Sequence, residues 1–283
     1  MKLLLDVSAP AKLNLFLHVT GRRPDGYHLL ESVFMLIDWC DTLHFELRQD
    51  GLISREDLSV PLPADDLVLR AARALQQACG CELGAHIAIT KRIPAQAGLG
   101  GGSSDAASTL LALNRLWRLD LPLERLMKLG LTLGADVPFF LFGSNAWVTG
   151  IGEQFHPVSL PPANFLVAKP QQGLETQAIF LHPALKRDTK SSRMSDFAAS
   201  PFRFGRNDLQ DIAQHFCPGV GAALGWLRVK GLAGRMTGSG SAVFAHWASG
   251  VDITEPPDGC QVKICSNLMS HPLAGWAQAS GYR

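Results

Sequence analysis

The sequence predicts an α/β protein built from two domains. Three observations predict it. Apolar residues alternate with period two near the start, helical periods appear after residue 65, and three prolines between Pro157 and Pro162 separate a second set of strands and helices. The expected division is 1–158 and 159–283. A chain of 283 residues can bury a sizeable core, and 47% hydrophobic residues exclude a disordered polypeptide. Formal net charge is +1, from 26 basic and 25 acidic residues. That balance argues against a nucleic-acid or membrane surface but leaves room for a small basic pocket.

Residues 2–7 read as a short strand. After Pro10, the run Lys12 to Val19 alternates, placing Leu13, Leu15, Leu17 and Val19 on one face and Lys12, Asn14, Phe16 and His18 on the other. Lys12 and Asn14 are thus neighbours, on a solvated face or at a pocket edge. Pro24-Asp25-Gly26 signals a turn with Tyr27 and His28 at its exit, where they serve ordinary packing or stack on a planar ligand. Strands are expected near 31–38 and 41–48, a capped helix over Asp65–Ala78, and a strand over 85–91.

The most informative stretch is Pro94 to Ala107, which holds Gly98, Gly100, Gly101 and Gly102. Glycine permits positive φ and close approach of its amide to an anion. Ser103, Ser104 and Asp105 are suitable N-caps for a helix expected over Ala106–Trp117. A glycine-rich turn feeding a helix start offers free N–H groups and a positive dipole end, which suits a phosphate cradle. It lacks the Gly-Lys-Ser/Thr of a Walker A loop, and Ser103 stands where a dinucleotide fingerprint needs its third glycine.

A short helix is expected from Pro122 to near Gly130. Asp136, between Gly134-Ala135 and Val137-Pro138, reads as a turn or helix cap, or as a carboxylate in partly dry surroundings suited to take a proton. Further strands follow, with turns at Gly143–Asn145 and Gly150–Gly152. Beyond the prolines, Phe165–Pro170 reads as a strand, 171–204 as loop with a helical turn from Thr176 to Phe180, and 207–216 and 220–229 as helices. Thr237 to Ala242 is a second small-residue loop, running into a strand. No run of about 18 apolar residues exists, and Asp6 interrupts the start too early for a signal peptide. The six cysteines lack zinc-site spacing and are expected to be reduced thiols of a cytoplasmic protein.

Five motifs together resemble the superfamily of galactokinase, homoserine kinase, mevalonate kinase and phosphomevalonate kinase (GHMP). They are Ala9–Asn14, Arg23–His28, Gly98–Ala107, Leu133–Pro138 and Asn207-Asp208-Leu209. The second and fourth narrow the resemblance to kinases acting on a cytidine-diphospho methylerythritol. The resemblance implies a ribosomal-protein-S5 domain 2-like N-terminal domain and a ferredoxin-like C-terminal domain with the active site between them. It implies transfer of the ATP γ-phosphate to the substrate's 2-hydroxyl, in non-mevalonate isoprenoid synthesis. Lys12 and Asp136 would be catalytic. Pro94, Gly98, Leu99, Gly100, Gly101, Gly102, Ser103 and Ser104 would hold ATP. Tyr27, His28 and Phe180 would hold the cytosine, and Asn14 and Thr176 the methylerythritol or its diphosphate.

Mg²⁺ would accompany ATP, with a loop serine as its ligand and no other metal residue assigned. A monomer or weak homodimer is expected. The alternatives are a kinase of the same superfamily acting on another small alcohol, and a non-catalytic nucleotide-binding protein of the same fold. Two departures from the family stand out. Asp66 occupies a position that is commonly Asn, and Pro256-Pro257 interrupts the segment where a ferredoxin-like domain carries a helix.

Overall fold

A computed structural model of the chain describes residues 2–278. β1 (Leu3–Arg22) and β2 (His28–Arg48) form a long antiparallel hairpin around the Pro24-Asp25-Gly26 turn. Four expected strands are therefore two. Pro10, which lacks a backbone N–H, is absorbed at a register shift between Pro10 and Ala11 rather than ending the strand. A second shift, between Asn14 and Leu17, corrects the expected faces. Leu13, Leu15 and Phe16 all enter one core cluster with Val33 and Met35, whereas Leu17 and Val19 join another with Leu166 and Ala168. Neither face is solvated, because Lys12, Asn14 and His18 are also buried.

The first sheet is completed by β3 (Ile53–Asp57), β4 (Gly84–Thr90), β5 (Ala146–Thr149) and β6 (Gln154–Pro157), in the order β3-β4-β2-β5-β6 with β1 also on β2. Sequence reasoning missed β3. Its single apolar residue, Ile53, gives no alternation, and parallel pairing with β4 makes the strand. Asp66 caps α1 (Leu67–Cys79) by accepting the Leu69 amide at 3.1 Å.

Helix α2 (Gly101–Leu116) begins five residues before the expected Ala106. Gly100, at φ 72°, takes the N-cap position, and the Ser104 amide donates to the Gly100 carbonyl at 2.9 Å. Ser103, Ser104 and Asp105 are thus in the helix and are not its caps. Buried on most sides, α2 packs on α1, β1, β2, α3 (Leu123–Leu133) and α4 (Val137–Phe142).

The second sheet has the order β10-β7-β9-β8, from β7 (Asn164–Lys169), β8 (Arg235–Met236), β9 (Val243–Trp247) and β10 (Gln261–Ser266). With it go α5 (Thr176–Leu181), α6 (Met194–Ala199), α7 (Gln210–Phe216) and α8 (Pro218–Val229). Residues 248–260 contain no helix, in keeping with their paired prolines. After β10 the chain returns to the first sheet. The Leu268 amide donates to the Leu36 carbonyl at 2.9 Å, the His271 amide to the Gly143 carbonyl at 2.8 Å, and Leu273 enters the first core. The cysteines form no disulfide. Among the described residues no helix is long and apolar enough to cross a membrane.

His271 makes this returning segment pH-sensitive. Its Nδ1 accepts the Leu273 amide, its Nε2 is buried without a partner among the described residues, and burial lowers its pKa from 6.5 to about 4. The unfolded chain therefore binds this proton first as pH falls. The contribution to stability is complete above about pH 6.5 and is lost toward pH 4. Urea unfolding at pH 7 and 4.5 should show a stability loss about 2–3 kcal/mol smaller in His271→Gln than in wild type. Equal losses would remove His271 as the cause.

Candidate active site

Three segments far apart in the chain meet at the glycine loop. The Lys12 amide donates to the Leu99 carbonyl at 2.9 Å, joining β1 to the loop. On the other side, the amides of Ser241 and Ala242 donate to the carbonyls of Gln96 and Ala97 at 3.2 and 3.1 Å. The backbones touch where glycine is required. Gly98 has φ +72°, and a Cβ there would lie 2.2 Å from the Thr237 carbonyl oxygen. Asn207 supports this wall, its Nδ2 donating to the carbonyls of Met236 and Gly238 at 2.8 Å each. Asp208 accepts from the Val19 amide at 2.9 Å, which gives the Asn207-Asp208 motif a joining role between β1 and the second sheet.

A cleft of about 1450 Å³ opens beside the loop. Lys12, Asn14, Tyr27, His28, Pro94, Gly98 to Ser103, Asp136, Thr176 and Phe180 line it. Ser104 does not. It lies within the first turn of α2, and its hydroxyl is buried without a partner among the described residues.

Lys12 and Asp136 converge, Nζ to Oδ2 at 3.6 Å. Lys12 is buried and its ammonium sits 4.8 Å from the centre of the Phe34 ring, while the Asp136 side chain keeps 34% of its exposure. Burial lowers the Lys12 pKa, and the Asp136 carboxylate opposes that shift. The ammonium also donates to Asn14 Oδ1. The Asn14 amide is oriented by Nδ2 donating to Ser32 Oγ at 2.9 Å, and the Ser32 hydroxyl donates to the Phe16 carbonyl. Asp136 occupies the N-cap position of α4 but makes no side-chain cap bond, so its carboxylate is free to face Lys12.

A charged group lining the cleft, Lys91, escaped the sequence reading. Lys91, at the entry of the glycine loop, bridges Asp41 on β2 and Asp105 on α2. Asp41 also accepts the Ile93 amide at 2.8 Å. The entry of the loop is thereby tied to Asp41, and Asp105 at its far end is held by the same Lys91 ammonium. Burial and the neighbouring Asp41 raise the Asp105 pKa against the pull of Lys91. Burial opposes the Lys91 charge, yet the two acids outweigh it and raise its pKa. Asp66, besides capping α1, pairs with Arg55 Nη1 at 2.6 Å and lines the cleft. No local pattern marks the Lys91–Asp41 pair, which joins residues 50 positions apart.

Tyr27 is 60% exposed, His28 is buried, and the His28 and Phe180 rings lie 5.0 Å apart at 34°. Thr176 Oγ1 meets Ser239 Oγ at 2.7 Å, linking α5 to the second small-residue loop.

Residues 66–144 match the family model of the GHMP kinases N terminal domain. A 4-diphosphocytidyl-2-C-methyl-D-erythritol kinase of Albidiferax ferrireducens is 68% identical over 277 residues, covering 98% of this chain and 96% of the relative. The chain belongs to that kinase family. A kinase of the same description from an Acidovorax species is 64% identical over 280 residues, covering 98% of this chain and 99% of its own length. A crystal structure of a 4-(cytidine 5'-diphospho)-2C-methyl-D-erythritol kinase superposes with TM-score 0.77 at 33% identity, covering 92% of this chain and 98% of the other. A mevalonate kinase structure shares the fold, with TM-score 0.68 at 16% identity and 94% and 99% coverage. The chain is thus an ATP-dependent small-molecule kinase with the GHMP fold.

The loop geometry makes two substitutions diverge. Gly98→Ala forces a Cβ against the Thr237 carbonyl at a left-handed backbone position, and should cost at least about 2 kcal/mol of stability. Gly102→Ala meets only Leu67 Cδ1 at 3.5 Å and should be neutral or stabilising by about 0.5 kcal/mol. Denaturant unfolding without nucleotide compares them, and equal costs would contradict the tight contact at Gly98.

Proposed function

We propose that this kinase transfers the γ-phosphate of ATP to the 2-hydroxyl of 4-diphosphocytidyl-2-C-methyl-D-erythritol, giving the 2-phosphate and ADP. The observation that carries the proposal is the Lys12–Asp136 pair, 3.6 Å apart in the cleft that the glycine loop also lines. An alcohol is a poor nucleophile at neutral pH. A carboxylate placed to take its proton contributes roughly 10²–10⁴-fold, and Asp136 is the partly exposed carboxylate in this position. Lys12, held by Asn14 and Asp136, would stabilise charge on the group in transfer. The loop amides and the start of α2 would receive the triphosphate.

Tyr27, His28 and Phe180 would hold the cytosine. Thr176 would contact the methylerythritol or its diphosphate, as would Asn14 through an amide N–H with no partner among the described residues. The oxygen donors fit a Mg²⁺ carried chiefly by the nucleotide. Ser103 Oγ would lie 3.7 Å from a Cβ at Gly134, in the turn that bears Asp136, so hydroxyl and carboxylate stand on adjacent segments. Ser103 is the proposed protein ligand, and the ion would neutralise charge on the phosphates. Ser104 fits less well, since it does not line the cleft. We further propose the division 1–158 and 159–283, with the segment after β10 packed back on the first sheet, a cytoplasmic monomer or weak homodimer, and no nucleic-acid partner.

Asp136→Asn should bind an ATP analogue with nearly wild-type affinity while kcat falls at least about a hundredfold. Calorimetry and a coupled ADP-release assay with the cytidylyl substrate measure the two. A near-normal kcat would remove Asp136 as the base, and equal turnover of the free alcohol without its cytidine would overturn the substrate.

A further inference from the structure

Arg187 lies in the segment after α5, where no sequence motif pointed to it. Its guanidinium makes four hydrogen bonds. Nε donates to His28 Nε2 at 3.0 Å, Nη1 to the Leu185 carbonyl at 2.9 Å, and Nη2 to the carbonyls of Phe180 and His182 at 3.0 and 2.9 Å. His28 opens β2 of the first sheet, whereas Phe180 belongs to α5 beside the second. One side chain therefore ties together two cleft-lining residues from opposite halves of the molecule.

The donor direction has a chemical consequence. A guanidinium has N–H groups and no acceptor, so the His28 nitrogen that receives its bond must present a lone pair. The ring proton of the uncharged imidazole then resides on Nδ1. Burial first, and then the Arg187 and Arg22 cations, lower the His28 pKa, which agrees with an uncharged ring. A flexible ring would sample both tautomers. Here the second nitrogen is occupied, and three carbonyl bonds fix the donor that occupies it.

We propose that Arg187 is a positioning residue for base recognition, holding His28 as its Nδ1–H tautomer next to Phe180 so that the cleft offers a fixed N–H donor to the acceptor edge of a pyrimidine. Cytosine carries such an edge in O2 and N3. The pyrimidine rests on the function proposed above; the tautomer does not.

Nitrogen-15 NMR of histidine-labelled enzyme reads the tautomer directly. Wild-type His28 should show a protonated Nδ1 and an unprotonated Nε2, and Arg187→Met should show exchange between tautomers. In the ADP-release assay, Arg187→Met should raise KM for the cytidylyl substrate at least about tenfold, with KM for ATP changed less than about twofold. Calorimetry with CDP, run with an ATP analogue occupying the glycine loop, should show a matching loss of affinity. Arg187→Lys can donate to His28 without bracing all three carbonyls, and should restore the Nδ1–H tautomer and part of the affinity.

A wild-type His28 protonated at Nε2 would overturn the proposal even if Arg187→Met failed to fold. So would a Met variant with unchanged tautomer and CDP affinity, or one in which both KM values rise equally, as a brace without a recognition role would produce. Wild-type enzyme that binds CDP in an Arg187-dependent way but does not phosphorylate the cytidylyl substrate would sink the proposed function and leave this inference standing. Wild-type enzyme that does not bind CDP would sink this inference.

Discussion

The backbone contact between the glycine loop and the 237–242 loop is the constraint on which the rest of the molecule depends. The amides of Ser241 and Ala242 donate to the carbonyls of Gln96 and Ala97, and Gly98 lies so close to Thr237 that no Cβ fits. β1 lies along the same junction, through the Lys12 amide on Leu99 and the Asn14 amide on Thr237 Oγ1 at 2.9 Å. One small region thus joins both sheets and positions the side chains of Lys12 and Asn14. Loosening it would move the Lys12 ammonium and the glycine loop relative to each other, and catalysis by alignment tolerates little such motion.

Charge burial around the junction follows one rule. Lys12 is buried against Asp136 and Asn14, and Lys91 between Asp41 and Asp105. Taking such groups out of water costs several kcal/mol per ion before pairing offsets it. These pairs are therefore weak contributors to stability and strong constraints on geometry. Lys91 and Asp41 hold the base of the loop, while Lys12 is held beside the Asp136 carboxylate.

Much of the site was legible because its residues sit in short patterns with a local physical meaning. Four glycines before a helix imply a cradle, and an Asp ahead of Val137-Pro138 implies a helix cap or a working carboxylate. The helix start was misjudged. Ser103, Ser104 and Asp105 are good caps by type, but Gly100 in the left-handed region lets the helix begin earlier. Leu17 and Val19 were assigned to the wrong face because a register shift is set by the partner strand. β3, with one apolar residue, exists because β4 offers it an edge.

The amino-acid order by itself determined the α/β class and the glycine-rich turn before a helix, since propensity and periodicity are local properties, and it marked Lys12 and Asp136 as candidates through the motifs that carry the family resemblance. Tertiary structure alone decided that Lys12 and Asp136 meet, that Lys91 clamps the loop on Asp41, and that Arg187 reaches His28. Each of these joins residues at least 50 positions apart. A hydrogen bond or ion pair acts over a few ångströms of space and carries no trace of the length of chain between its partners, so only folding brings them within range.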